Sequence, residues 1–223
     1  MTEDRAHYLL HKEAHAVQIA IDVFHRSCIK LQRHRNPNIY MKGNDELLSD
    51  WFTDGLEDLD PSTLGANEHP DYLIRGVGFE LKSLRGKGQI QFNSTIPCGG
   101  FKHGDLEGEC YYVIARYTQE RQYGYLADYT IVDGDYFNHN REWAFAHANT
   151  QEREFGDYSD GVCRHRKMYS FPSPHREFSG VALISKYNHL NQYNRNLTLE
   201  HNINRMDKNG QVHVFYIYRH NFL

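Results

Sequence analysis

Residues 71–84, Asp-Tyr-Leu-Ile-Arg-Gly-Val-Gly-Phe-Glu-Leu-Lys-Ser-Leu, constrain this chain more than any other stretch. Apolar residues on both sides of Arg75-Gly76-Val77-Gly78 predict two strands joined by a tight turn, because glycine takes up the backbone conformations that such turns require. Successive side chains of a strand leave on opposite faces, so Glu80 and Lys82 share one face while Leu81 turns into the core. Eight residues separate Asp71 from Glu80, and a hairpin folds Asp71 back beside Glu80 and Lys82.

Two carboxylates at one point form a seat for a hard divalent cation such as Mg²⁺. A lysine beside them can orient or help deprotonate an attacking water. Together these groups are the equipment for metal-assisted hydrolysis of a phosphodiester. The same three residue types also occur as solvated charges or as a cross-strand ion pair, so their spacing alone leaves both readings open.

The surrounding elements predict an α/β domain. Residues 4–33 form a helix with an apolar stripe of Leu9, Leu10, Val17, Ile21, Phe24, Cys28 and Leu31. Asn36-Pro37 ends it, since the residue before proline is steered away from helix. The stripe serves either as a packing face or as a dimer surface. A second helix is expected over 44–57, with Asn44 or Asp45 as its cap and Leu47, Leu48, Trp51, Phe52 and Leu56 along one face. Residues 58–68 form a loop. Cys110 to Ala115 is a continuous apolar run, as in a buried central strand, with Tyr123–Tyr129 as its partner and a further short strand over 130–137. Residues 138–180 are polar and aperiodic. Residues 181–199 and 211–219 complete a single domain spanning 1–223, whose N-terminal helical segment, 4–57, precedes a core of 58–223. The core is expected to be a central mixed β-sheet flanked by helices.

Composition limits the alternatives. The 16 Tyr, 12 Phe and 2 Trp supply apolar area for a real core and argue against disorder. The four cysteines are far apart without a C-x-x-C spacing, and read as reduced thiols of a cytoplasmic protein. The N-terminus lacks an apolar leader, and no run approaches the length of a membrane span. No H-E-x-x-H, nucleophile elbow or Walker spacing is present. The net charge of −4 runs against nucleic-acid binding, although a basic cleft suffices where the whole is not basic.

Pro70-Asp71 followed by Phe79-Glu80-Leu81-Lys82-Ser83 resembles the PD-(D/E)XK nuclease superfamily, and type II restriction endonucleases in particular. The resemblance covers roughly residues 44–135. It implies a restriction-endonuclease-like core in which Asp71 and Glu80 hold Mg²⁺, with the Leu81 carbonyl as a further ligand and Lys82 positioning the water. Glu68 and Glu46 stand where some members carry an additional acidic residue; a carboxylate in a helix's first turn, as at Glu46, is also favoured simply by the helix dipole. The implied activity is sequence-specific hydrolysis of double-stranded DNA by a homodimer, with a cognate methyltransferase in the same system. A structure-specific repair or recombination nuclease of the same superfamily and a non-catalytic DNA-binding module are the alternatives.

Several groups are candidates for holding DNA. Arg85-Gly86-Lys87-Gly88 is a basic turn able to approach a phosphate closely. Gln89, Gln91, Asn93 and Thr95 alternate along one face of an expected strand, and amides of this kind pair with base edges in the major groove. Arg164, Arg166, Lys167 and Arg176 lie in the polar segment and could contact guanine or phosphate. Each of these groups also has an ordinary reading as a solvated loop or strand edge.

Overall fold

The computed structural model describes residues 3–44, 46–65, 68–86, 88, 90–93, 97–138, 167–169, 179–206 and 210–223, with side chains from residue 13 onward except at 93, 138 and 167–169. Helix α1 (Glu3–Arg33) leads into β1 (Asn38–Met41), α2 (Leu47–Thr53) and β2 (Pro61–Ser62). The hairpin is β3 (Tyr72–Ile74) and β4 (Val77–Arg85). Then come β5 (Gln91–Asn93), β6 (Gly100–His103), β7 (Leu106–Glu120), β8 (Tyr123–Asp133) and α3 (Asp135–Asn138). The chain ends with β9 (Lys167–Tyr169), β10 (Val181–Ser185), β11 (Leu197–Met206) and β12 (Val212–His220).

Ten strands form one mixed sheet in the order β11-β12-β10-β8-β7-β4-β3-β2, with β1 pairing β8 and β6 pairing β7 off this path. The central pairs β4–β7 and β8–β10 are parallel, while β3–β4, β7–β8 and β10–β12 are antiparallel. Burial follows this order. Val113, Ala115, Ile131 and Ile184, on central strands, are fully buried. The edge strand β11 is mostly exposed.

The stripe of α1 packs inside the chain's own core. Val17, Ile21, Phe24, Cys28 and Leu31 join Phe79, Tyr111, Val113 and Tyr129 in one buried cluster, and Phe52 and Leu48 of α2 enter the same cluster. Those five α1 positions are therefore packing residues and leave no apolar stripe for a second subunit; Leu9 and Leu10 lie outside the described side chains. On the opposite sheet face Tyr112, Ile114, Val132, Ile184 and Ile217 pack with Phe92, Phe101 and the α3 residues Tyr136 and Phe137. Among the described residues both longer helices thus lie on one face. The other is closed, among the described residues, by the four-residue α3 and by chain from the connection between β4 and β7.

Four sequence expectations need correction. The second helix covers Leu47–Thr53, not 44–57. Asn44 Oδ1 accepts the Glu46 N–H at 3.0 Å before the helix begins, and Gly55 at φ 78° ends it; Asp45 is outside the described residues. Residues 123–133 are one strand, where two were expected, because β8 pairs with β7 along nearly its whole length. In the polar run 89–97, among the described residues, Gln91–Asn93 is a strand and Ile90 and Pro97 are not; the strand pairs with β9 in a separate two-stranded ribbon, outside the main sheet. The closing segment expected over 181–199 divides into β10 and the start of β11, which runs on to Met206 as an edge strand with polar residues on both faces.

The hairpin turn itself is Arg75-Gly76, both at positive φ (50° and 82°), the two-residue geometry whose twist suits a β-hairpin. Three contacts fix it. His15 Nε2 of α1 lies 3.0 Å from the Arg75 carbonyl oxygen, Arg75 Nη2 donates to the Asp58 carbonyl at 3.1 Å, and Arg26 of α1 pairs with the Asp58 carboxylate. Beside Arg26, His25 of α1 meets the last strand, its Nδ1 2.7 Å from His220 Nε2. Among the described residues no helix is long and apolar enough to cross a membrane.

Candidate active site

Backbone pairing between β3 and β4 stops at Tyr72↔Phe79. Beyond it, side chains take over. The Leu81 N–H donates to Asp71 Oδ2 at 2.6 Å, and the Asp71 N–H donates to Glu80 Oε2 at 3.2 Å. Asp71 is thereby held beside Glu80 by two reciprocal bonds, one residue before β3 begins. The N–H and C=O of a strand residue leave on the same side of the strand, so the Leu81 carbonyl also faces away from β7, toward Asp71.

Parallel pairing with β7 sets what surrounds the pair. Glu80 lies opposite Tyr112 and Lys82 opposite Ile114. Phe79 and Leu81 pack into the α1 face of the sheet, so Glu80 and Lys82 project from the other, as strand alternation requires. There the Lys82 ammonium donates to Glu80 Oε1 and stands 6.0 Å from the Phe92 ring centroid. Glu80 is 8% exposed, low enough that each of its oxygens must find a partner within the protein. His69 supplies one: its Nδ1 is 2.9 Å from Glu80 Oε2.

The two carboxyls behave oppositely. Burial pushes the Asp71 carboxyl up, and the neighbouring Glu80 charge pushes it further, against the pull of Lys82. Burial would also raise Glu80, but Lys82 and His69 outweigh it and hold this carboxyl below the usual range. Lys82 stays charged in spite of its own burial because Glu80 and Asp71 face it. One lysine thus faces two carboxylates, one of which is left short of positive charge.

That imbalance bears on whether Mg²⁺ fits. The donors are hard carboxylate oxygens with a strand carbonyl beside them, the chemistry Mg²⁺ takes, and Asp71 would be relieved by added positive charge. No group of three or more His, Cys, Asp or Glu side chains among the described residues forms a preformed metal cage. Mg²⁺ does not require one, since it usually keeps several waters and binds through one or two carboxylates plus substrate phosphate.

The other expected positions distribute unevenly. Glu68 turns to His103, with Oε2 3.2 Å from Nδ1, and Glu46 stands exposed before α2; neither bonds Asp71 or Glu80. Arg85 is exposed at the end of β4, and Gly88 N–H closes the basic turn on the Arg85 carbonyl at 3.0 Å. Within the ribbon, Gln91 pairs Tyr169 and Asn93 pairs Lys167, so two stretches far apart in sequence are brought together. Lys87, Gln89, Thr95, Arg164, Arg166 and Arg176 lie outside the described residues.

Sequence reading missed His69 and Cys110. His69 stands next to Pro70-Asp71, but a loop residue carries no periodicity from which its direction can be read. Cys110 Sγ lies 3.8 Å from His69 Nε2, which gives the order thiol, imidazole, carboxylate. This order resembles a nucleophile with its base, but Cys110 is only 1% exposed and burial pushes its thiol far up, so it is no nucleophile. A second charged group was also missed. Lys186 Nζ sits 2.7 Å from Asp135 Oδ2 and 3.7 Å from Glu109 Oε2, and Asp133 Oδ2 nearby is buried without a hydrogen-bond partner among the described residues.

In comparisons with known proteins, no family model, no curated protein and no solved structure matches the chain.

Proposed function

We propose that this chain is a Mg²⁺-dependent nuclease that hydrolyses phosphodiester bonds in double-stranded DNA at specific sequences, in the manner of a type II restriction endonuclease. The observation that carries the reading is the reciprocal bonding of Asp71 and Glu80, with Lys82 on the same carboxylate. Holding two like charges together in a largely buried place costs stability, and a cation seat gives that arrangement a purpose.

Asp71 and Glu80 would hold the metal, with the Leu81 carbonyl completing the protein's share. Bound there, Mg²⁺ would supply charge stabilisation for the scissile phosphate and a more acidic water. Lys82 donates hydrogen bonds beside that seat, and its role is to orient the attacking water. Arg85 offers a phosphate contact at the end of the same strand. The ribbon that pairs Asn93 with Lys167 is suited to groove contacts, because a two-stranded ribbon fits the major groove of DNA. Cutting both strands calls for a homodimer, whose surface is other than the α1 residues buried in the core. Protection of the host's own sites calls for a methyltransferase.

The test is digestion of plasmid DNA by purified protein with Mg²⁺, beside Asp71→Asn and an EDTA control. Asn keeps an oxygen for the Leu81 N–H and removes only the charge. Discrete fragments from the wild type alone are expected. Intact plasmid in every lane, with plasmid still bound, would replace the nuclease reading by a binding module. Cutting confined to branched or flapped substrates would replace it by a repair nuclease.

A further inference from the structure

We propose that His69 is a positioning residue for Glu80: its Nδ1–H anchors Oε2 and leaves Oε1 as the oxygen that meets the cation. The inference rests on the metal-dependent reading above and goes beyond it, because the nuclease motif begins at Pro70 and does not include this histidine.

Glu80 receives three donors of unlike kinds. On Oε2 are His69 Nδ1 at 2.9 Å and the Asp71 backbone N–H at 3.2 Å, both carried by the chain that leads into β3. On Oε1, among the described residues, is the Lys82 ammonium alone, at the end of a flexible side chain. The first pair fixes which way the carboxylate faces, and the last can step aside for a cation. Ligating carboxylates are characteristically held in this way by hydrogen bonds behind them.

The ring nitrogens have unequal surroundings. Nδ1 faces a carboxylate, the best acceptor available. Nε2 faces the Cys110 sulfur at 3.8 Å, and burial keeps that thiol protonated and a poor acceptor. The Cys110 sulfur lies equally far, 3.8 Å, from the Tyr111 carbonyl oxygen, so its hydrogen can go to either neighbour. In both cases a neutral His69 carries its hydrogen on Nδ1 and directs it at Glu80. His69 is 7% exposed and its ring lies 6.1 Å from that of Tyr112, so packing holds it in this orientation.

Two measurements on the full chain test the proposal. Nitrogen-15 NMR of the histidine rings should show a hydrogen on His69 Nδ1, with its signal displaced in Glu80→Gln; a hydrogen on Nε2 with Nδ1 bare overturns the arrangement. Calorimetric titration with Mn²⁺ should show binding weakened about 10–100-fold in His69→Leu, the usual cost of losing such a supporting bond. His69→Asn, whose side-chain N–H can reach the same oxygen, should recover most of that loss, which a merely structural defect would not permit. Equal Mn²⁺ affinity in wild type and His69→Leu overturns the proposal alone. Absence of Mn²⁺ binding to the wild type removes the metal-dependent reading and this inference with it.

Discussion

Asp71 and Glu80 are bonded through each other's strand: the Asp71 N–H donates to Glu80 Oε2 at 3.2 Å, and Asp71 Oδ2 accepts from Leu81, the residue after Glu80, at 2.6 Å. Two carboxylates are thus locked at a point where their charges repel. The lock acts through backbone groups that must be satisfied in any case, so the site is built into the hairpin.

Glu80 accepts from three donors, two of them side chains, and its loss should be felt in stability. Glu80→Leu would leave the Lys82 ammonium, whose side chain is 18% exposed, and the His69 Nδ1–H without their partner. Breaking a buried pair in this way costs about 3–5 kcal/mol. Urea denaturation should show a loss on that scale, with a much smaller one for Glu80→Gln. Equal midpoints for wild type and Glu80→Leu would mean that the carboxylate is not the hub described here.

Cation binding should stabilise the fold. A ligand held only by the native state at a hundredfold its Kd adds about 2.7 kcal/mol. Thermal melts should therefore rise with Mn²⁺, and Asp71→Asn should abolish the rise. A rise that persists unchanged in Asp71→Asn would place the cation elsewhere.

Gly78 lets Pro70 and the hairpin approach each other. A Cβ there would stand 2.7 Å from Pro70 Cγ and 2.9 Å from Phe101 Cδ1. Forcing a methyl group into such a place costs about 1–3 kcal/mol. Gly78→Ala should lower the unfolding midpoint by that amount and weaken Mn²⁺ binding as well, since Pro70 directly precedes Asp71. Gly76→Ala has free space around its Cβ and is strained only by its φ of 82°; its effect should be confined to stability.

Stability should fall as pH rises toward neutrality. Burial pushes Glu109 up to about 7, with Asp133, Asp135 and Glu13 adding to the rise and Lys186 opposing it. An acid with a raised value binds more protons folded than unfolded, so between about pH 4.5 and about pH 7 each increment of pH favours the unfolded chain. Asp133, likewise raised by burial against the pull of Lys186, acts in the same direction. The urea midpoint should decline from pH 5 to pH 7.5, and Glu109→Gln should flatten the decline. An unaltered decline in that variant would assign the effect to other groups.

Much of the site was legible in the sequence because its determinants are local. Alternation alone placed Glu80 and Lys82 on one face and Leu81 on the other, and glycine spacing located the turn. The α1 stripe and the buried run of β7 were read in the same way. Glu68 was not, since its partner His103 lies on β6, far along the chain. The strand expected over 89–97 does not include Ile90 or Pro97, because periodicity reports a half-buried surface and not which strand will lie beside it. Only the pairing of Gln91–Asn93 with Lys167–Tyr169 defines that strand.

The sequence by itself determined the hairpin, the order of carboxylate and lysine along it and the faces they take, because backbone geometry over a few residues decides these. Tertiary structure decided everything that makes those groups a site. The parallel register of β4 on β7 brought Tyr112 and Cys110 beside them, and the approach to β3 aimed His69 at Glu80. The β4–β7 register joins residues 32 positions apart and the His69 contact spans 11, both fixed by burial of the two sheet faces, and no alternation along one strand encodes them.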